Sequence, residues 1–286
     1  RQHAQHAEEV FGMRVLEGNV LDVPCRMPDA KVTECGKDKL IGVHRILFFF
    51  CKDNIFIFVT LTKTIKHSHC SMSSKLLSIK WIGEVESTNK YLQEAMETEP
   101  VNTVVATDFQ SSGKGMGNNA WHSEKGKNLL FSMLLDVSFL RAEEQFKISQ
   151  AAALGLLSVM KRHLPSDKLS VKWPNDIYFG DKKLAGTLIN STVSGIMMDR
   201  TIIGVGLNVN QEAFPESLPN PISMKIINGK DFNREKLLEE VAESIAKAIY
   251  LIKNLKIRKK IDEVYINNMY RFGVKSDFIY NNQNLR

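Results

Sequence analysis

The chain has 286 residues, of which 43% are hydrophobic and 24% are charged, a composition that suits a globular protein with one large core or two smaller ones. The most apolar stretch, residues 46–61, is interrupted by Lys52, Asp53 and Asn54 and is too short to span a bilayer. We therefore expect a cytoplasmic protein that does not act at a membrane. A net charge of +6 permits either a nucleic acid or an acidic protein as partner.

Residues 1–71 differ in character from the rest of the chain. They show neither a sustained helical stripe nor strand-like alternation, and Met72 directly precedes a strand-like run. We expect residues 1–71 to be an atypical extension, non-native or poorly ordered, ahead of a domain that starts at Met72. The cysteines all lie in this extension, which excludes a cysteine nucleophile or a thiolate metal site from the later residues: Cys25, Cys35, Cys51 and Cys70.

From residue 72 onward, apolar periodicity and capping residues predict alternating strands and helices. Ser87 or Thr88 caps a helix that reaches about Glu97, Pro165 ends a long helix that begins near residue 142, and Asn233 caps the last predicted helix. The strand hairpins exclude a doubly wound fold and predict an α+β fold, a mainly antiparallel sheet with helices packed on one side. The predicted strands are residues 73–81, 101–107, 129–137, 169–173, 177–179, 184–190 and 202–209.

Two consecutive hairpins in this pattern carry charged and amide side chains at their turns. Asp and Asn oxygens suit Mg²⁺, and Lys neutralises a carboxylate or phosphate, so the mixture is typical of an anionic reaction centre beside a divalent metal. An ordinary solvated turn is the alternative interpretation. The residues are Lys172-Trp173-Pro174-Asn175-Asp176 and, seven residues later, Lys183-Leu184-Ala185-Gly186.

A loop with three glycines at alternate positions follows the strand predicted at residues 101–107. Glycines let the backbone approach a ligand and aim N–H groups at an anion. The loop is neither a Walker A motif nor a dinucleotide fingerprint, because no Gly-Lys-Ser/Thr closes it and no helix opens after it. A flexible surface loop remains the simpler alternative. Its residues are Gln110-Ser111-Ser112-Gly113-Lys114-Gly115-Met116-Gly117, followed by Trp121.

Four segments occur in the order and at the approximate spacing found in one enzyme family: Ser87-Thr88-Asn89, the glycine loop to Trp121, residues 172–186, and Gly204-Val205-Gly206-Leu207-Asn208. Together they resemble biotin protein ligase, in its short form without a DNA-binding domain. The resemblance covers roughly residues 74–255. It implies a catalytic domain at residues 72–255 related to class II synthetases, with residues 256–286 as a linker and the truncated start of a small C-terminal SH3-like β-barrel.

The resemblance implies two half-reactions, with ATP and Mg²⁺ as cofactors. Biotin is activated as biotinyl-5′-AMP and is then transferred to a lysine of a biotin carboxyl carrier protein, as in acetyl-CoA carboxylase or a related carboxylase. Lys183 is expected to be the catalytic residue and Asp176 the metal ligand. The implied biotin-binding residues are Ser87, Thr88, Asn89, Gln110, Gly113, Lys114, Gly115, Met116, Lys183 and Gly186, and the implied ATP-binding residues are Trp121, Lys172, Asn175, Asp176 and Asn208.

One position departs from the family's pattern. Where the commonest loop alternates glycine with two arginines, this chain has Lys114 and Met116, so retention of the adenylate is expected to be weaker. The alternatives are a lipoate-protein ligase and a biotin-sensing transcriptional regulator. No helix-turn-helix pattern is found, so we expect no nucleic acid partner. A homodimer is possible, and carrier docking is expected at an exposed strand edge.

Overall fold

The computed structural model describes residues 47–51, 54–58, 77–117, 119–275, 278–280 and 283–285. The chain divides into two compact units, Arg1–Cys70 and Ser71–Arg286. In the first unit, strands β1 (Leu47–Cys51) and β2 (Asn54–Phe58) pair as an antiparallel hairpin. The expectation of a non-native extension ending at residue 71 falls largely outside the described residues.

A seven-stranded sheet forms the centre of the second unit, in the order β3-β4-β5-β9-β8-β7-β6. Only β3 and β4 are parallel, and every other neighbouring pair is antiparallel. The predicted α+β fold with a mainly antiparallel sheet is confirmed. The strands are β3 Ser78–Val85, β4 Thr103–Gln110, β5 Leu129–Asp136, β6 Leu169–Lys172, β7 Asp176–Phe179, β8 Lys182–Ser194 and β9 Met197–Leu207.

Long helices cover one face of this sheet, as expected. The opposite face carries the short helix α1 (Thr88–Glu94), capped by Ser87 through the N–H of Lys90. Because side chains alternate across a strand, Leu134 and Ile202 pack beneath α1 while Met133 and Ile203 join the main core on the other face. The remaining helices are α2 Phe146–His163, α3 Met224–Asn228, α4 Arg234–Leu251 and α5 Leu255–Asn267.

Gly155 of α2 allows the two longest helices to touch through their backbones. A Cβ placed on Gly155 would lie 2.9 Å from Cα of Ile245 and 3.0 Å from the carbonyl oxygen of Ser244, both in α4. Backbone atoms of a packed helix do not move aside as a flexible side chain would, so the close contact requires glycine at this position.

Replacement of Gly155 by alanine is therefore expected to destabilise the protein by about 1–2 kcal/mol, because overpacking outweighs the better helix propensity of alanine. Thermal unfolding followed by circular dichroism measures the effect. Gly83→Ala is the control, since a Cβ at Gly83 would meet no atom within 4 Å. Equal melting temperatures for the two variants would contradict the close-packing argument.

The C-terminal region differs from the expectation of a linker from residue 256. Residues Leu255–Asn267 form α5, because Asn254 caps its first turn and Ile261 and Tyr265 bury an apolar stripe. The chain then lies along the outer edge of β6, where the N–H of Tyr270 donates to the carbonyl of Val171. Two further short strands, β10 (Phe278–Tyr280) and β11 (Gln283–Leu285), pair as a hairpin. No helix in the described part of the chain is long and apolar enough to cross a membrane.

Candidate active site

A cavity of about 280 Å³ opens on the α1 face of the sheet. Along β9 the residues on this face are Ile202, Gly204 and Gly206. Ile202 fills the space under α1, whereas Gly204 and Gly206 carry no side chain and leave room for Asn89 and Trp121 to pack over the strand. Gly186 of β8 pairs with Gly206 across the two strands, so three glycines form the floor of the cavity.

One end of the cavity is polar, uncharged and buried. The N–H of Thr88 donates to Oε1 of Gln110 at 2.8 Å, and the Thr88 hydroxyl lies 2.8 Å from that of Ser132. Asn89 donates to the carbonyl oxygen of Leu188 at 3.3 Å. The exposed fractions of Ser132, Thr88 and Asn89 are 0%, 3% and 7%. Buried hydroxyl and amide groups of this kind suit a ligand group that is polar but carries no charge.

Charged side chains meet at the other end. Nζ of Lys183 lies 2.6 Å from Oδ2 of Asp176, and the two side chains are 33% and 25% exposed. Lys183 is held by its backbone, whose N–H donates to the carbonyl of Asn220. A Cβ on Gly186 would lie 3.1 Å from both Nζ of Lys183 and Oδ1 of Asp176. Glycine at this position therefore allows the ion pair to lie directly over the strand.

Trp121 lines the cavity beside the charged end. Its ring packs so closely on Gly206 that a Cβ there would lie 2.4 Å from the indole, and Nζ of Lys183 lies 5.6 Å from the ring centroid. The indole N–H is buried and has no hydrogen-bond partner among the described residues. A buried donor left unpaired is costly, so a ligand acceptor at this position would be favoured.

The glycine loop forms another part of the cavity wall. The N–H of Trp121 donates to the carbonyl of Gly113, and the N–H of Gly115 donates to that of Asn119. Lys114 and Met116 line the cavity, although Met116 is 63% exposed. The loop is thus a hairpin-like flap with its two sides joined by backbone hydrogen bonds.

The turn between β6 and β7 supplies the remaining wall. Asn175 is buried, and its carbonyl oxygen accepts a hydrogen bond from Thr187. Nζ of Lys172 lies 3.2 Å from the hydroxyl of Tyr178. Burial raises the pKa of Tyr265 to about 12, so its hydroxyl stays protonated and donates to the carbonyl of Pro174. The turn is thus held by Tyr265 through Pro174 and by Lys172 through Tyr178, and Lys172 also places a positive charge in the cavity lining.

Most residues expected from the sequence line this one cavity. Gly113 is adjacent to the cavity but does not line it. Because Gly113 has no side chain, Trp121 and Gln110 can approach the loop backbone at this position. Asn208 is not in the lining, which differs from the expected adenylate contact. Its side chain is buried and donates to the carbonyl of Ile222, so it joins β9 to the chain that precedes α3. The expected residues that line the cavity are Ser87, Thr88, Asn89, Gln110, Lys114, Gly115, Met116, Trp121, Lys172, Asn175, Asp176, Lys183 and Gly186.

Ser132 was not expected from the sequence. It is a fully buried hydroxyl within the apolar strand β5, in contact with Thr88. The signal that could have identified it is a lone polar residue at position 132 in an otherwise apolar run from Leu129 to Leu135.

The donor chemistry around Asp176 is compatible with Mg²⁺. Among the described residues, no group of three or more His, Cys, Asp or Glu side chains is arranged so that it could hold a metal ion. Mg²⁺ is usually held by one or two carboxylates together with substrate phosphates and water. Asp176, with the amide of Asn175 beside it, fits the protein's share of such a site.

Residues 81–208 match the model of the biotin/lipoate A/B protein ligase family. The chain is 33% identical over 150 residues to the bifunctional ligase/repressor BirA of Escherichia coli, a match that covers 50% of this chain and 44% of that protein. It is 33% identical over 133 residues to biotin–protein ligase 1, chloroplastic, of Arabidopsis thaliana, with 46% and 36% covered. The chain thus spans less than half the length of these curated relatives.

Solved structures agree with the fold. The biotin protein ligase of Aquifex aeolicus in complex with biotin and ATP superposes with a TM-score of 0.57 at 29% identity, covering 67% of this chain and 78% of that one. The ligase of Leishmania major in complex with biotinyl-5-AMP gives a TM-score of 0.57 at 24% identity, covering 69% and 83%, and so supports the fold alone.

Proposed function

We propose that this chain, whose residues 81–208 match the model of the biotin/lipoate A/B protein ligase family, activates biotin with ATP and transfers it to a lysine of an acceptor protein. The observation that carries the proposal is the two-ended cavity. A buried uncharged polar cluster around Thr88 and Ser132 matches a ureido ring, and the Lys183–Asp176 pair matches a carboxylate and a phosphate.

In the first half-reaction, a carboxylate oxygen of biotin attacks the α-phosphorus of ATP. The bond from that phosphorus to the bridging oxygen breaks, and pyrophosphate leaves. Lys183 lies where its ammonium can hold the two anionic reactants together and then stabilise the charge that develops on phosphorus. Trp121 shields that charge from water and offers its unpaired N–H to the ligand.

In the second half-reaction, the amine of the acceptor lysine attacks the carbonyl carbon of the mixed anhydride. An amide bond forms, the carbon–oxygen bond to phosphate breaks, AMP leaves, and the amine releases a proton. Lys183 then stabilises the departing phosphate, so the same ammonium serves both steps. Mg²⁺, when bound, would neutralise phosphate charge, and Asp176 with Asn175 would hold it.

The acceptor in this proposal is a biotin carboxyl carrier protein or domain, which the resemblance to biotin protein ligase implies. The reaction would take place in the cytoplasm, where ATP is supplied. A homodimer through the outer edge of β3 is also proposed, since β3 has a sheet neighbour on one side only among the described strands. Light scattering tests this last point.

Incubation with biotin, ATP, Mg²⁺ and an apo carrier domain tests the function. We expect biotin-dependent release of pyrophosphate and a carrier mass increased by one biotinyl group. Octanoate and lipoate in place of biotin are the controls, because neither offers a ureido group to Thr88 and Gln110. Faster turnover with lipoate would instead favour a lipoate ligase, and no turnover with any acid would contradict the proposal.

Replacement of Met116 with arginine is expected to slow the dissociation of biotinyl-adenylate. A charge-assisted hydrogen bond to an anionic group contributes about 1.5–3 kcal/mol, and the low end of this range, roughly tenfold in rate, suits an exposed position. Met116 is 63% exposed at the loop surface. Dissociation is measured by filtration of enzyme loaded with labelled biotin, with Met116→Gln as the uncharged control. An equal rate in the two variants would mean that the loop follows a different path over the adenylate.

A further inference from the structure

Two hydroxyl groups hold the backbone on either side of Asn175. The hydroxyl of Tyr265 in α5 donates to the carbonyl of Pro174 at 2.6 Å. The hydroxyl of Thr187 in β8 donates to the carbonyl of Asn175 itself at 3.3 Å. Each peptide unit is planar, so a bonded carbonyl orients its whole unit. Both units that flank Asn175 are therefore held, and the direction of its side chain is set from two separate elements.

The Tyr265 side chain is buried and neutral. It is 2% exposed, and its ring meets that of Phe146 edge-on at 5.7 Å. Burial raises the pKa of Tyr265 to about 12, so the hydroxyl keeps its proton at neutral pH. A buried tyrosine normally uses its hydroxyl in a hydrogen bond. Tyr265 therefore acts as a fixed donor to the turn and not as an acid or a base.

Helix α5 is itself joined to the strand that leads into the turn. The N–H of Asn268 donates to the carbonyl of Tyr265 at 3.1 Å, and the carbonyl of Asn268 accepts from the N–H of Val171 in β6 at 2.8 Å. On the other side, Gln150 of α2 donates to Asp262 of α5 at 2.9 Å. These bonds restrict movement of the Tyr265 hydroxyl relative to the turn between β6 and β7.

The turn carries the groups that would meet the phosphates of ATP. Asn175 and Asp176 line the cavity, and Asp176 lies 2.6 Å from Nζ of Lys183. Asp176 also pairs with Lys172 at the start of the β6–β7 hairpin. A shift of the turn would therefore move a carboxylate and disturb two ammonium groups at once. Groups that act on a reacting phosphate lose effectiveness with small displacements.

We propose that Tyr265 is a positioning residue for ATP, which acts through the Pro174 carbonyl to hold Asn175 and Asp176 in place. The inference rests on the proposed function. Residues 81–208 match the family model, so Tyr265 lies beyond the matched segment, in a region where the sequence predicted a linker. Helix α5 is thus part of the active-site support and not a connection to a further element.

Replacement of Tyr265 with phenylalanine tests the proposal, because it removes one hydroxyl and keeps the ring. Adenylate formation is followed as biotin-dependent pyrophosphate release over a range of ATP concentrations. Calorimetric binding of α,β-methylene-ATP with Mg²⁺, and separately of biotin, gives a readout without turnover. Gly155→Ala is the control for stability, since a Cβ at Gly155 disturbs the contact between α2 and α4 and not the turn.

We expect Tyr265→Phe to lower kcat/KM for ATP by about fivefold, the effect of one lost hydrogen bond. The Kd for the ATP analogue should rise by a similar factor. The Kd for biotin should stay unchanged, because its ureido group is assigned to the other end of the cavity, at Thr88 and Ser132. Gly155→Ala should retain the ATP kinetics of the unchanged protein at a temperature where both variants are folded.

A double variant shows whether Tyr265 acts through Asp176. Tyr265→Phe combined with Asp176→Asn should lose little beyond Asp176→Asn alone, since two residues that act through one group are not additive. Unchanged ATP kinetics in Tyr265→Phe, an equal loss in Gly155→Ala, or fully additive losses in the double variant would each overturn the positioning assignment. Absence of adenylate formation in the unchanged protein would instead overturn the proposed function.

Discussion

Alanine in place of Lys183 is expected to slow biotinyl-adenylate formation by about 10²–10³, the range for removal of one group that stabilises transition-state charge. The Lys183 ammonium is 2.6 Å from Asp176, and Lys183 lines the cavity. Its side chain is 33% exposed, and the stability change should stay within about 1 kcal/mol. Single-turnover pyrophosphate release and a thermal melt measure the two effects.

The control is the neighbouring lysine. Lys182 is exposed and does not line the cavity, so Lys182→Ala should retain adenylation close to that of the unchanged protein. Near-normal adenylation in Lys183→Ala would refute the assignment of Lys183 as the catalytic residue and would weaken the ligase proposal.

Asparagine in place of Asp176 is expected to lower adenylate formation by about 10²-fold at a fixed low Mg²⁺ concentration, because the change removes the carboxylate and keeps the side chain's shape. Part of the rate should return as Mg²⁺ is raised, since weaker metal binding can be offset by mass action. Initial rates over a Mg²⁺ titration measure this, and Mg²⁺-dependent protection against thermal unfolding in the presence of ATP provides a readout independent of turnover.

Asp167→Asn is the matched control, because Asp167 is exposed in the turn before β6, away from the cavity lining. The same Mg²⁺ dependence in Asp176→Asn and in the unchanged protein would exclude Asp176 as the metal-holding residue. The pair with Lys183 would then be its main role.

Local signals in the sequence were sufficient to predict most of the helices and strands. The Ser87 and Asn233 caps and the strand alternation depend on neighbouring residues, and the structure has caps at both positions. The observed strand boundaries differ from the predicted ones where tertiary pairing lengthens a strand. Strand β8 extends to Ser194 and β9 begins at Met197 because these two strands pair with each other past the end of β5. Helix α5 was missed because its lysine-rich stretch hides the apolar stripe that Ile261 and Tyr265 bury.

What the sequence determined by itself was the chemistry available: a carboxylate, a lysine, a polar helix cap and a glycine loop, each recognisable from spacing and residue type. Which of them share a cavity was decided by the tertiary structure, because that depends on strand order and register. Asn208 does not line the cavity, and its side chain donates to the carbonyl of Ile222, whereas Ser132 lines it because β5 lies next to β9. The exposure of Trp173, which lines the cavity, is likewise decided by the tertiary structure, since burial is set by distant residues rather than by neighbours in the chain.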